Sequence, residues 1–203
     1  METIELKTLS PRKKQILESA QALFSQKGYV AASMRDLAEV LKIKPASLYS
    51  HYTSKEEMLW EIAVRCAAEF HEVVLPLAQG TDAPDLRLQR MIEAHIDVMM
   101  RNMDASAIFF EEWKRLEEPR LGTYTTLIQQ YEQAFIGVIR EGIEGGIFRT
   151  VKPRFVTSML LSSMNWIHQW YKPTGTMTQT DIQTQCVAFI MGGLRAESPQ
   201  ERA

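Results

Sequence analysis

Between Val40 and Lys55 the chain sets Lys42, Lys44, Lys55 and His51 among Ser47, Tyr49, Ser50, Tyr52 and Thr53, with no acidic residue in the stretch. Cations and hydroxyl donors free of carboxylates suit a surface that lies against phosphates. Other chemistry has little support. There is no nucleophile elbow, no phosphate-binding glycine loop and no metal-spaced cluster. His71, His95 and His168 stand alone on helical segments. The Glu111-Glu112 and Glu117-Glu118 pairs have no histidine at ligand spacing. No catalytic residue, metal or cofactor is expected.

The elements that must position this stretch read as a helical pair with a tight connection. Ser33 is a helix cap, and Asp36 three residues on can close a reciprocal capping box. Leu37, Ala38 and Leu41 then repeat at helical spacing. Lys42-Ile43-Lys44 breaks that helix. Pro45 fits the first turn of the next, where a missing N–H costs nothing. Leu48 should point inward, leaving Ala46, Ser47, Ser50 and His51 on the other face. Ser54 and Glu57 suggest a second capping box at the start of a long helix. This is the layout of a helix-turn-helix DNA reader. A solvated, weakly basic helical hairpin would carry the same pattern.

Charge is distributed to match. Residues 1–58 hold nine Lys/Arg against seven Asp/Glu, and the rest of the chain fourteen against eighteen, which recovers the net charge of −2. A basic head on an acidic body suits a protein whose head alone meets DNA. Hydrophobic residues make up 45 % of the 203, enough for a sizeable core. Cys66 and Cys186 lack CxxC spacing and read as small buried hydrophobes. No apolar run is long enough for a membrane span, and the start METIELKTLS is not a signal peptide, so a cytoplasmic protein is expected.

Nearly every segment reads as helix, giving an all-α fold of about nine helices. Ser10-Pro11 starts the first and Gly28 ends it, with Ile16, Ala20 and Phe24 inward. These should join Leu37, Leu41 and Leu48 in a small three-helix core. Arg12, Lys13 and Lys14 could reach a phosphate or lie in solvent. Longer helices are expected at about 54–78, 85–103, 119–143 and 153–171, the last ended by Pro173 and Gly175. A short helix carries Phe109, Phe110 and Trp113, and a final one spans about 181–192. The tail from Ala196 looks frayed. The domains expected are a helix-turn-helix domain at 1–53 and a ligand-binding and dimerisation domain at 54–203.

The head closely resembles the DNA-binding domain of the TetR family of bacterial transcriptional regulators over about residues 11–60. The residues that carry the resemblance are Phe24-Ser25-Gln26-Lys27-Gly28-Tyr29, Ser33-Met34-Arg35-Asp36-Leu37-Ala38 and Leu48-Tyr49-Ser50-His51-Tyr52-Thr53-Ser54-Lys55. The rest agrees in length and helical character. The resemblance implies a homodimer on a palindromic, double-stranded operator, with the third helix in the major groove. It implies phosphate contacts at Ser33, Tyr49, Tyr52 and Lys55. It implies base-facing positions at Lys44, Ala46 and Ser47, with His51 able to do either. Arg35 and Pro45 complete the DNA-binding set. Lys44 and Pro45 depart from the residues common in the family, and Tyr52 replaces the commoner Phe.

In the second half, Asn165-Trp166 followed by Trp170-Tyr171-Lys172-Pro173-x-Gly175 resembles a TetR-like branch that responds to acyl-CoA thioesters. A small apolar effector, an acyl-CoA being one candidate, is therefore expected. Met99, Met103, Phe109, Phe110, Trp113, Met159, Asn165, Trp166 and Trp170 are the candidate ligand residues. Methionine adapts to varied apolar shapes, although apolar residues at this spacing also build plain core. Arg101, Lys114, Arg115 and Arg120 are candidate partners for the phosphates of a CoA moiety. Leu160, Leu161, Met164, Ile167, Val187, Ile190, Met191 and Leu194 are expected at the dimer interface. Two alternatives stand beside this: a TetR-like efflux repressor answering to hydrophobic drugs, and a helical interaction module that does not bind DNA.

Overall fold

The computed structural model describes residues 6, 8–172 and 174–196. Pro173 and the tail beyond Ala196 lie outside the described residues. Among those described, the chain is helical throughout apart from an isolated antiparallel bridge between Phe148 and Arg195. The helices are α1 (Pro11–Lys27), α2 (Met34–Val40), α3 (Pro45–Tyr49), α4 (Lys55–Ala78), α5 (Pro84–Arg101), α6 (Met103–Glu111), α7 (Arg120–Glu144), α8 (Pro153–Asn165), α9 (Ile167–Trp170) and α10 (Gln179–Leu194). A 3-10 turn at Trp113–Arg115 follows α6. The nine expected helices are present. The eighth is split, because Trp166 ends α8 and α9 is a single further turn.

The chain divides into two compact units. The first contains residues up to Ala68 together with Asn102–Thr126, and the second Glu69–Arg101 together with residues from Leu127 on. In the first unit, α1 begins at the Ser10 cap, whose side chain accepts from Lys13 N–H, with Pro11 in its first turn. It ends at Gly28, whose φ of +82° lies where an L side chain is strained. Ile16, Ala20 and Phe24 on α1 pack with Tyr29, Leu37, Leu48 and Tyr52 in the buried core. Leu41, expected in this core, is only half-buried because it is the C-cap of α2. α1 also packs on α6. Glu56 on α4 forms an ion pair with Arg120 at the start of α7.

The connection between α2 and α3 has a defined geometry. Lys42 N–H donates to the Glu39 carbonyl at 3.0 Å and Ile43 N–H to the Ala38 carbonyl at 3.0 Å. Lys42 itself has a φ of +52°. This is a Schellman-type helix end with a lysine in the position that favours glycine. Lys42→Gly is therefore expected to stabilise the first unit by about 0.5–1 kcal/mol, read as a rise in urea midpoint.

In the second unit α10 packs along α5, and α8 also packs on α5. Leu88, Met91, Ile92, Ile96 and Met99 from α5 are almost completely buried with Phe135, Ile139 and Met164. Gly142 is needed for close approach: a Cβ there would stand 2.2 Å from Phe148 Cδ2. Phe148, 2 % exposed, can therefore fold back over the end of α7. Arg87 is a buried cation. It donates to the Ala78 carbonyl at 2.8 Å and pairs with Glu141.

Candidate nucleic-acid interface

The interface is built from α2, the turn and α3. Ser33 caps α2 with a full reciprocal box: its Oγ accepts from Asp36 N–H at 3.2 Å, and its own N–H donates to Asp36 Oδ2 at 2.7 Å. The Ser33 hydroxyl also donates to that carboxylate at 2.7 Å. Lys27 Nζ reaches the other oxygen at 2.8 Å, and these contacts, Lys27 foremost, hold the Asp36 carboxyl at about 2. α3 starts at Lys44 with Pro45 in its first turn, and Leu48 is its buried residue. Lys44, Pro45, Ala46, Ser47 and Tyr49 are exposed, five of the six positions 44–49, with Leu48 the buried one. Arg35 is exposed on α2, and His51 is half-buried just past α3. Ser47 is free to turn outward, and its carbonyl accepts from the Ser50 hydroxyl at 2.7 Å.

Four sequence expectations are placed differently by the structure. Tyr52 is 1 % exposed. Its hydroxyl is shielded without a hydrogen bond among the described residues, and burial pushes it up to about 12. It packs in the head's core, with Lys13 Nζ 4.9 Å from its ring centre. Lys55 is turned inward. Its Nζ donates to the carbonyls of Tyr29 at 2.6 Å and Ala32 at 2.8 Å, and approaches Val30 O at 3.4 Å. The ammonium also lies 4.3 Å from the Tyr29 ring centre, and burial lowers its pKa. Lys55 therefore ties the segment between α1 and α2 to the start of α4. Ser33 spends its hydroxyl proton on its cap. The second capping box is half-formed: Glu57 N–H donates to Ser54 Oγ at 3.0 Å, but the Glu57 carboxylate takes Thr53 N–H and hydroxyl instead of Ser54 N–H.

The exposed α3 residues carry a testable difference. Ser47→Ala and Lys44→Ala are each expected to cost about 1–3 kcal/mol at particular base pairs and to leave other positions of a site unaffected. Binding to a library of single-base operator variants measures this.

The candidate ligand residues fall in both units. Met103, Phe109, Phe110 and Trp113 belong to the first, and Met99, Met159, Asn165, Trp166 and Trp170 to the second. Phe109 is core: it meets Tyr124 edge-on at 5.2 Å, and the Tyr124 hydroxyl donates to its carbonyl at 3.0 Å. Trp113 stacks on Tyr124 at 5.5 Å, half-buried. Met99 is fully buried, whereas Met159, Trp166 and Trp170 are exposed. Of the candidate phosphate-binding cations, Arg120 pairs with Glu56, Arg101 with Glu69 and Asp97, and Arg115 with Glu112. Lys114 lies 5.6 Å from the Trp113 ring centre. The carboxylate partners weaken the argument that these arginines wait for an anion.

His95 and Tyr131 received no ligand role from sequence reasoning. His95 is 1 % exposed, and its Nδ1 hydrogen-bonds the Tyr131 hydroxyl at 2.9 Å. Burial pulls the imidazole down to about 4, while the Asn165 amide works the other way. His71 stacks on the Tyr131 ring at 5.8 Å, and its Nε2 lies 3.0 Å from the Leu127 carbonyl. One sequence signal could have found the pair: two aromatic polar residues on otherwise apolar inward stripes of two helices.

Among the described residues no helix is long and apolar enough to cross a membrane, and no group of His, Cys, Asp and Glu could hold a metal ion. An all-helical chain with a capped α2, a four-residue connection and an exposed, acid-free α3 is a helix-turn-helix DNA-binding regulator. Two family descriptions match it: "Bacterial regulatory proteins, tetR family" over residues 16–62, and "Tetracyclin repressor-like, C-terminal domain" over 81–194. The chain belongs to the TetR family of transcriptional regulators and is not an enzyme. It is 28 % identical over 191 residues to the HTH-type transcriptional repressor KstR2 of Mycobacterium tuberculosis, covering 93 % of this chain and 96 % of that one. The solved structure of that ketosteroid transcriptional regulator superposes with a TM-score of 0.88, over 94 % of this chain and 98 % of the other at 28 % identity. The TetR family regulator PfmR from Thermus thermophilus is 31 % identical with a TM-score of 0.81, over 90 % and 100 % of the two chains. AibR, solved with isovaleryl coenzyme A and operator DNA, is 26 % identical with a TM-score of 0.80, over 88 % and 97 %.

Proposed function

We propose that this regulator is a repressor that binds a palindromic operator as a homodimer and is released by an acyl-CoA thioester. The observation that carries the DNA half is the exposed run Lys44, Pro45, Ala46, Ser47 and Tyr49 on a helix held by buried Leu48. The acyl-CoA half is supported by the likeness to AibR, solved with isovaleryl coenzyme A, together with the Asn165–Gly175 motif. In this reading residues 1–53 read DNA, and 54–203 bind the effector and the second protomer. The compartment is the cytoplasm, where the operator is.

A dimer follows from the size of the reader, since one short helix contacts too few base pairs for useful specificity. The surface proposed for it differs from the residues expected from spacing. Leu160, Leu161, Met164, Ile167, Met191 and Leu194 are buried within the protomer, and Val187 and Ile190 half-buried. On α8–α10 and the Trp166 that joins α8 to α9, the large apolar side chains left exposed are Phe155, Met159, Trp166 and Trp170, and Phe189 on α10, 83 % exposed. Phe155 and Met159, four residues apart on α8, are the apolar residues proposed for the interface. The two heads then meet successive major grooves about 34–36 Å apart. The ligand acts by favouring a state in which they do not, which requires different affinities for the two states.

The test is titration of the purified protein onto its own upstream DNA with and without a panel of acyl-CoA thioesters. The expected result is tight, sequence-selective binding released by at least one thioester. Selective binding that no thioester changes would remove the acyl-CoA half. Salt-sensitive binding without sequence preference would remove the operator reading.

A further inference from the structure

The turn between α2 and α3 holds a lysine that its backbone does not favour. Lys42 has a φ of +52° and is the one non-glycine residue with positive φ among those described. Gly28 and Gly146 take the other positive-φ positions, where no side chain is strained. Nothing that the Lys42 ammonium touches inside the protein offsets this. It is exposed, and among the described residues it makes no ion pair or hydrogen bond, not even with Glu39 three residues earlier. A strained position that persists without an internal partner points to a use outside the chain.

The cations of the head fall into two groups. Lys27 pairs with Asp36 at 2.8 Å and Lys14 with Glu18 at 3.9 Å. Arg12 donates to Gln15, Lys13 lies over the Tyr52 ring, and Lys55 is held by the Tyr29 and Ala32 carbonyls. Arg35, Lys42 and Lys44 are exposed and, among the described residues, have no such partner. All three belong to the helix-turn-helix: Arg35 lies in the first turn of α2, and Lys44 is the N-cap of α3. No carboxylate follows Glu39 until Glu56. An unpaired lysine brings a mobile counterion to release, and that release drives phosphate binding. Of the phosphate contacts that the family resemblance implies, Lys55 is the one cation, and it is turned inward. The charge has to come from elsewhere in the head.

We infer that Lys42 contacts a backbone phosphate of the operator and supplies, from the turn, the ionic contact that Lys55 does not make. The inference rests on the reading that α3 enters the major groove of DNA. Lys42 stands two residues before Lys44, at most about 7 Å of chain, so the edge of that groove is within reach of its stem. A phosphate contact carries no sequence information, so Lys42 strengthens binding to every site alike, while Lys44 and Ser47 select base pairs. The lysine therefore lowers the stability of the head and raises its affinity for DNA.

The experiment titrates full-length wild type, Lys42→Gly, Lys42→Gln and Lys42→Arg onto the protein's own upstream DNA at several salt concentrations, with a urea midpoint for each. Lys152→Gln removes the same charge from an exposed position of the second unit and is the control. Lys42→Gly and Lys42→Gln should each lower the slope of log affinity against log salt by about 0.9. Affinity should fall about eightfold at about 0.1 M salt, equally for all single-base operator variants, and recover near about 1 M. Lys42→Arg and Lys152→Gln should keep the wild-type slope. Lys42→Gly should also unfold at higher urea than wild type, so that its weaker binding cannot come from a damaged head. Lys42→Gln keeps the strained backbone and tests the charge alone. An unchanged slope in both neutral variants would overturn the inference. So would an equal drop from Lys152→Gln, the mark of net charge without contact, or a loss confined to particular base pairs. Binding without sequence preference whose slope falls in the neutral variants would leave the phosphate contact standing and remove the operator reading. Selective binding whose slope ignores Lys42 would do the reverse, and no DNA binding by wild type would remove both.

Discussion

Lys55→Ala is expected to destabilise the first unit by about 1.5–3 kcal/mol, because it removes a charged donor from two part-buried carbonyls. The Tyr29 and Ala32 carbonyls accept from Lys55 Nζ at 2.6 and 2.8 Å, and the Tyr29 ring supports the same ammonium. The substitution also decides between two roles. A phosphate contact would, when lost, lower the slope of log affinity against log salt by about 0.9. A clamp on the segment before α2 would lower operator affinity through misplacement of α2 and α3 and leave that slope unchanged. Urea unfolding and operator titration at several salt concentrations together give the answer, and the unchanged slope with a lowered midpoint is the expected pair. A slope reduced by one phosphate with no loss of stability would restore Lys55 to the DNA contacts.

The second large effect is acid sensitivity from His95. Its pKa is about 4 in the folded chain, against about 6.5 in an unfolded one. A base whose folded pKa lies below its unfolded value takes its proton first in the unfolded chain, so acid favours unfolding. Above about pH 6.5 both states are neutral at this group and it adds no pH dependence. Between about pH 6.5 and 4 it should remove about 1.4 kcal/mol of stability per pH unit, about 3 kcal/mol in all. His95→Phe should abolish this part of the slope while changing stability at neutral pH by its own packing and hydrogen-bond cost. Urea midpoints of wild type and variant across that range measure it, and parallel pH profiles would refute a buried neutral imidazole. Carboxylates that titrate lower, such as Asp36 held at about 2, lose their native-state contacts outside this window.

The DNA reader was legible because its signals are local. Ser33 and Asp36 close a capping box within four residues, Pro45 starts a helix, Leu48 points inward, and Gly28 ends α1 with a positive φ. Such preferences are decided by neighbours in the chain and survive translation into structure almost unchanged. Local pattern was less informative wherever a side chain had a choice of partners. Tyr52 and Lys55 belong to the motif that carries the family resemblance, yet one is core and the other a clamp. Nothing adjacent in sequence indicates that the carbonyls of Tyr29 and Ala32, more than twenty residues earlier, lie within reach of Lys55. The apolar stripes of α8 and α10 told which residues are hydrophobic but not which neighbours cover them. Leu160 and Met164 are buried against the same protomer, while Phe155 and Phe189 remain outside.

Sequence by itself therefore determined the all-helical class, the helix starts of the head, the helix-turn-helix and the family, since caps, periodicity and motif spacing act over a few residues. Tertiary structure alone decided which cations are spent on carbonyls or carboxylates, which apolar residues are interior, and that His95, Tyr131 and Asn165 from three separate helices share one buried place. Those outcomes depend on side chains brought together from distant positions, where burial strengthens each hydrogen bond and penalises each unpaired group, and no local pattern records that meeting.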